Sequence, residues 1–219
     1  MPGFAGTGLF GQYTAFSFSS SPIATFLAPN VCFPDCHSGV FSDGSGGLAV
    51  FTNGNATDIV FGPGIQPPNN WSNSGLSING YIAINQPGTY HFSLGSDDNS
   101  HLTIGGQNFL NIPGCCTTVN GAASFSAAGL YPILVQFTEF GGGSYLDLTA
   151  HADNGDGGNG ACLFGCVNTN GALVDSGLFY SDAQLQGAPA PQVGSGWYSG
   201  AILTVLGLAA WVRRRHAQI

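Results

Sequence analysis

The sequence has no lysine, a single glutamate (Glu139) and only three arginines, which stand together as Arg213, Arg214 and Arg215. Everything before them carries eleven acidic side chains and no fixed positive charge. Such a surface repels phosphate, which excludes nucleic acid, nucleotides and acidic lipid headgroups as partners. Charged residues make up 6% of the chain, too few for exposed helices rich in Glu, Lys and Arg, while 43% hydrophobic residues argue against disorder. With 35 glycines and 12 prolines as well, the composition reads as an all-β domain. A chain of 219 residues holds one domain of roughly 150 to 200 residues with a full core, plus an appendage. Catalytic patterns are missing too. There is no G-x-S-x-G or H-E-x-x-H, and His37, His91, His101, His151 and His216 are isolated from one another in sequence.

The cysteines are even in number and come in three groups, Cys32 with Cys36, Cys115 with Cys116, and Cys162 with Cys166. An even count in an acidic, lysine-free chain points to disulfides and an oxidising compartment. Consecutive Cα atoms lie about 3.8 Å apart, whereas an unstrained disulfide spans about 4.4 to 6.8 Å. Cys115 and Cys116 are therefore expected to be poor partners for each other, each reaching a distant cysteine in the outer groups. Two local C-x3-C loops with the adjacent pair left over are the alternative, and sequence does not choose between these pairings. Zinc is disfavoured, since the spacing is not C-x2-C.

Period-2 alternation recurs along the body of the chain. Leu76, Ile78, Gly80, Ile82 and Ile84 alternate with Ser77, Asn79, Tyr81 and Ala83; beyond a Gln86-Pro87-Gly88 turn, Tyr90, Phe92 and Leu94 alternate with His91 and Ser93. Leu102 and Ile104 lead into a Gly105-Gly106 turn, and Ile133, Val135 and Phe137 share one face of a later strand. Short alternating runs separated by Gly, Pro and Asn predict an antiparallel β-sandwich or barrel, with almost no helix before Trp197. Residues 28–50 and 151–176 read as long surface loops pinned by disulfides. The stretch 153–160 has the look of a calcium loop but fails the D-x-[DN]-x-[DN]-G-x5-E spacing, and a solvated turn is expected there.

From residue 197 to 212 the chain runs WYSGAILTVLGLAAWV without a charge. As a helix it would be about 24 Å long, a little short of a bilayer's hydrocarbon core of about 30 Å. Trp197, Tyr198 and Trp211 suit interfacial belts, and Arg213, Arg214 and Arg215 would stay cytoplasmic. The order Pro189-Ala190-Pro191, apolar helix, arginine cluster resembles the PEP-CTERM sorting signal of bacterial exported proteins, with Ala190 in place of the glutamate. That resemblance implies anchoring in the inner membrane, an exosortase-like enzyme as partner, and a link to exopolysaccharide or biofilm. Residues 1–6 carry neither a basic n-region nor an apolar h-region, so a start further upstream is expected. The division is a β domain at 7–185, a Pro/Gly linker at 186–196, a short C-terminal transmembrane helix at 197–212 and a basic tail at 213–219.

Five pieces follow one another in order: GLFGQY near the start, GYI at Gly80-Tyr81-Ile82, GTYHFSLGSDD ending at Asp97-Asp98, LTIGGQ from Leu102, and AGLYPILVQFTEFGGG from Ala128. Together they resemble the PA14 domain over residues 7 to about 182. The lectin-like, adhesin-type members of that family bind calcium through two adjacent aspartates and use the ion to hold sugar hydroxyls. The resemblance places those aspartates at Asp97 and Asp98, a vicinal cysteine pair at Cys115 and Cys116, and a further oxygen from the loop after the YP strand at Glu139.

The chemistry is coherent residue by residue. Calcium takes six to eight oxygens. Side chains adjacent on a regular strand point to opposite faces, so Asp97 and Asp98 reach one ion only if the backbone between them is irregular, for which a cis peptide would serve. Carbonyls of Phe140, Gly141 and Gly142 would add oxygens, because glycine lets the backbone approach closely. Vicinal sugar diols could then occupy the ion's open positions. Asn99, His101, Trp71 and the Asn69-Asn70 pair are candidates to line such a site. The expectation is an exported, membrane-anchored surface protein, not an enzyme, binding carbohydrate with Ca2+. A structural or protein-binding matrix component on the same fold is the alternative. A glycosidase using Asp97 and Glu139 would need them about 5 to 9.5 Å apart across a cleft, and is the weakest reading.

Overall fold

The computed structural model describes residues 8–15, 21–33, 41–42, 56–66, 72–166 and 177–185. The alternating runs form strands as expected. Fourteen occur among the described residues: β1 (Leu9–Ala15), β2 (Ala24–Ala28), β3 (Cys32–Phe33), β4 (Phe41–Ser42), β5 (Thr57–Phe61), β6 (Ser74–Ile84), β7 (Gly88–Asp97), β8 (Asn99–Ile104), β9 (Gln107–Ile112), β10 (Thr117–Phe125), β11 (Gly129–Glu139), β12 (Gly143–Asp153), β13 (Asn159–Phe164) and β14 (Phe179–Tyr180). A single four-residue helix, α1 (Asp182–Leu185), follows. One turn is too short to leave a 3.6-residue period in the sequence, which is why it went unexpected.

Two antiparallel sheets face each other. The eight-stranded sheet runs β5-β2-β1-β6-β11-β8-β9 with β14 beside β6, and the six-stranded sheet runs β10-β7-β12-β13 with β3 and β4 along β12. Their inward residues interdigitate in the manner of a β-sandwich. From β6 come Leu76, Ile78, Ile82 and Ile84, from β7 Phe92 and Leu94, and from β11 Ile133, Val135 and Phe137, all at 2% exposure or less. Phenylalanine does much of the filling. Phe26 meets Phe33 edge-on at 5.7 Å, and Phe92 meets Phe109 at 5.5 Å.

The two stretches read as long loops are not wholly loop. Cys32–Phe33 and Phe41–Ser42 pair with β12, and Asn159–Phe164 forms the sheet edge β13. Each is short, and its pairing is dictated by β12, so composition rich in Gly, Asn and Asp conceals it. Between β12 and β13 the solvated turn is present: Asp153 accepts from Gly155 and Gly157 N–H, Asn154 from Asp156 and Gly158 N–H, and Asp156 from Gly158 N–H.

The topology gathers three crossovers at one end of the sandwich. The chain passes between sheets from β7 to β8 at Asp98, from β9 to β10 across residues 113–116, and from β11 to β12 across residues 140–142. Register places these ends together. Thr138 faces Asn99, Tyr145 faces Asp97, Thr117 faces Ser96 and Ser100 faces Ile112. The expected apolar helix at 197–212, with Pro189, Pro191, Arg213, Arg214 and Arg215, lies outside the described residues, and so does Cys36.

Candidate functional site

Strand periodicity delivers the first carboxylate. Glu139 follows Ile133, Val135 and Phe137 by steps of two, so the core-facing stripe of β11 ends on a glutamate, 1% exposed. Its Oε1 accepts the Gly141 N–H at 2.7 Å, whereas Oε2 is buried without a hydrogen-bond partner. Burial raises the Glu139 pKa to about 7; the charges of Asp98 and Asp97 push the same way, and the backbone N–H groups of Gly141 and Asp98 oppose it.

The β7–β8 crossover supplies the other two. The Asp97–Asp98 peptide is cis, so the backbone between the two aspartates is irregular. Asp97 is 7% exposed, and burial, then the charge of Asp98, raises its pKa. Asp98 Oδ2 accepts the Phe140 N–H at 2.8 Å, tying one crossover to the other. Ser96 and Ser100, which sequence reasoning passed over, fix this bend: the Ser96 hydroxyl donates to the Asp98 carbonyl at 2.6 Å and lies 2.7 Å from Ser100 Oγ. The signal available was serine two residues before and after Asp98, where short hydroxyls bond locally to backbone.

The cysteines depart from expectation. Cys115 and Cys116 are bonded to each other, with Cα atoms 3.7 Å apart. Cys116 has φ of 66°, a left-handed turn that swings its side chain back toward its neighbour, which the argument from Cα spacing had not allowed for. Cys162 and Cys166 pair locally, Cα to Cα 6.2 Å, which is the local C-x3-C loop of the alternative reading and not a tether to the middle of the domain. Cys32 is also disulfide-bonded. The adjacent pair lies beside the first aspartate: Asp97's carboxylate and the Cys115 and Cys116 sulfurs lie within 4.8 Å of one another.

Around the carboxylates, Phe140 is 47% exposed, and Gly141 and Gly142 have φ of 143° and 105°, backbone open to glycine. Asn99 opens β8 beside the cluster. His101 stands two residues further along the same face, paired with Gln136 and Asn111, and burial lowers its pKa. Trp71, Asn69 and Asn70 lie outside the described residues. Clefts of about 340 to 410 Å³ occur elsewhere, none lined by these carboxylates.

Three acids converge here, and the described residues contain no lysine or arginine. Two of the three are nearly buried, and one oxygen is unpartnered. A hard cation fits that donor set: it would satisfy Glu139 Oε2 and offset the burial and the mutual repulsion that raise Asp97 and Glu139.

A family model described as PA14 domain matches residues 41–153. Among solved structures, the chain is similar to the PA14 domain of the MpAFP antifreeze protein, with TM-score 0.58 and 19% identity, covering 83% of this chain and 94% of that one. It is similar to a PA14 sugar-binding domain from an RTX adhesin, with TM-score 0.52, 20% identity, and 72% and 94% covered. It is also similar to the A domain of epithelial adhesin 6 from Candida glabrata, solved in complex with Galβ1-3GlcNAc, with TM-score 0.52, 14% identity, and 82% and 88% covered. At these identities the likeness is one of fold. No curated protein matches by sequence.

Proposed function

The chain belongs to the PA14 domain family, and from that membership we propose that it binds neutral carbohydrate through a calcium ion held by Asp97, Asp98 and Glu139. The observation that carries this reading is the buried, unpartnered Glu139 Oε2 facing two aspartates where the domain offers no cationic side chain. Carbonyls of Phe140, Gly141 and Gly142 would serve as further donors. Calcium would supply a Lewis-acidic centre whose remaining positions accept vicinal hydroxyls. Phe140, exposed beside it, gives a sugar ring an apolar face to rest on. Asn99 and His101 flank the cluster on the outer face of β8 and would add hydrogen bonds to hydroxyls.

Calorimetry with calcium chloride, followed by a panel of neutral oligosaccharides, tests the proposal. Calcium binding that depends on Asp97 and Glu139, with glycan binding abolished by chelator and by Asp97→Ala, is the expected result. Absence of calcium binding sinks the mechanism. Calcium binding with no glycan response favours a structural or protein-binding module on the same fold, and sugar release from a polysaccharide would indicate an enzyme.

For the remainder of the chain the proposal is an exported protein anchored in the inner membrane by the apolar segment at 197–212 and recognised by an exosortase-like sorting enzyme through Pro189, Pro191 and the arginine cluster. Mass spectrometry of the surface form is the check: an intact end carrying Arg213 to Ile219 on fully exported protein contradicts sorting by cleavage.

A further inference from the structure

The outer face of the smaller sheet carries a second polar constellation. A cleft of about 410 Å³ there is lined by His91, Ser93, Asn120, His151 and Asn159. His91 on β7 and His151 on β12 are directly opposite in register, a placement that puts Cβ atoms about 4.5 to 5.5 Å apart. Asp153 follows His151 by two residues and so shares its face. Its Oδ2 lies 3.0 Å from His91 Nε2, while its Oδ1 is held by the Gly155 and Gly157 N–H groups. His91 and Asp153 are thus already paired, and His151 stands across the register from His91 with its ring nitrogens turned toward β13.

From this geometry we infer that His91, His151 and Asp153 form a site for a divalent transition-metal cation, separate from the calcium cluster. Ligands bonded to zinc at about 2.0 to 2.2 Å stand about 2.9 to 3.5 Å from each other, and the His91 to Asp153 distance of 3.0 Å already lies in that range. On binding, the His91 proton moves to Nδ1, and the metal takes the place between Nε2 and Oδ2. His151 is loosely held. Its Nδ1 is 3.4 Å from the Gly160 carbonyl, and its Nε2 is 3.3 Å from Cys166 Sγ, a disulfide sulfur and a weak partner, so its ring turns to the cleft at little cost. Imidazole with carboxylate selects zinc, copper or nickel over calcium, which prefers oxygen alone. Asp97 lies six residue steps along β7 from His91, about 20 Å along the strand, so the two sites hold different ions without sharing a ligand.

The test is zinc chloride titrated into the full chain by calorimetry, with calcium saturating and disulfides intact. One zinc per chain is expected, weakened at least tenfold by His91→Ala, by His151→Ala and by Asp153→Asn, and unchanged by Glu139→Gln. A His91→Ala, His151→Ala double variant that binds zinc as tightly as the parent overturns the proposal. An independent readout needs no variant: substoichiometric Cu2+ should broaden the ring-proton NMR signals of His91 and His151 first. Broadening confined to His37, His101 and His216 overturns it equally.

Discussion

Glu139 is the residue on which most of the site's behaviour turns, because it ends a core-facing stripe and is charged only at a cost. With a pKa of about 7 in the folded chain against an ordinary value of 4.5, its neutral form is favoured by folding. In metal-free protein this contribution is fully present below pH 4.5 and lost as pH rises through 7. The melting temperature of the chelated protein should therefore fall across that window, and Glu139→Gln should flatten the fall. Calcium affinity should run the other way, rising with pH as the proton stops competing, which calorimetry at a series of pH values reads directly. Asp98→Ala removes both an acidic oxygen and the acceptor for the Phe140 N–H, and is expected to lower calcium affinity by more than about tenfold with little change in the core. The Asp pair and the lone glutamate were legible in the sequence as chemistry. The cysteine pairing was not, because it depends on a positive φ at Cys116 that residue spacing does not encode.

At the scale of elements, the strands that the alternation announced are those with one clear buried face, β6, β7 and β11, although β7 runs on past Leu94 to Asp97 and β11 begins before Ile133, at Gly129. It announced no strand at β2, β5, β10 or β14, and β3, β4 and β13 escaped because their existence depends on the long partner β12 and not on their own pattern. Close approach leaves its own mark. Gly80 in β6 lies against the β14 backbone, where a Cβ would run into the Tyr180 carbonyl. Gly80→Ala should destabilise by about 1 to 3 kcal/mol in urea unfolding, by forcing β14 off the sheet. Phe92, 1% exposed and in ring contact with Phe109, Phe125 and Phe164, should cost about 3 to 5 kcal/mol on replacement by alanine. Neither change touches the carboxylates, so calcium affinity in the variant that still folds should match the parent.

For the whole molecule, the scarcity of charge is itself a specification. A formal net charge of −8 with no lysine or arginine ahead of Arg213 leaves the domain without a fixed positive side chain to attract an anion. Binding of a neutral glycan through calcium should accordingly change little between about 50 and 500 mM sodium chloride, whereas a charged partner would show a steep decline. Calorimetry at the two salt concentrations distinguishes them. The strand ends also have a geometric consequence. The Gly8 N–H donates to the Phe179 carbonyl at 3.2 Å, so the first and last of the described strands meet beside the C-terminal end of β6, roughly 25 Å along the sheet from Ser74 and the carboxylate loops. The domain is gripped at a single neck with its loops facing outward, a posture in which it could be spliced into a longer stalk, or permuted by joining residues 8 and 180, and still present the same face.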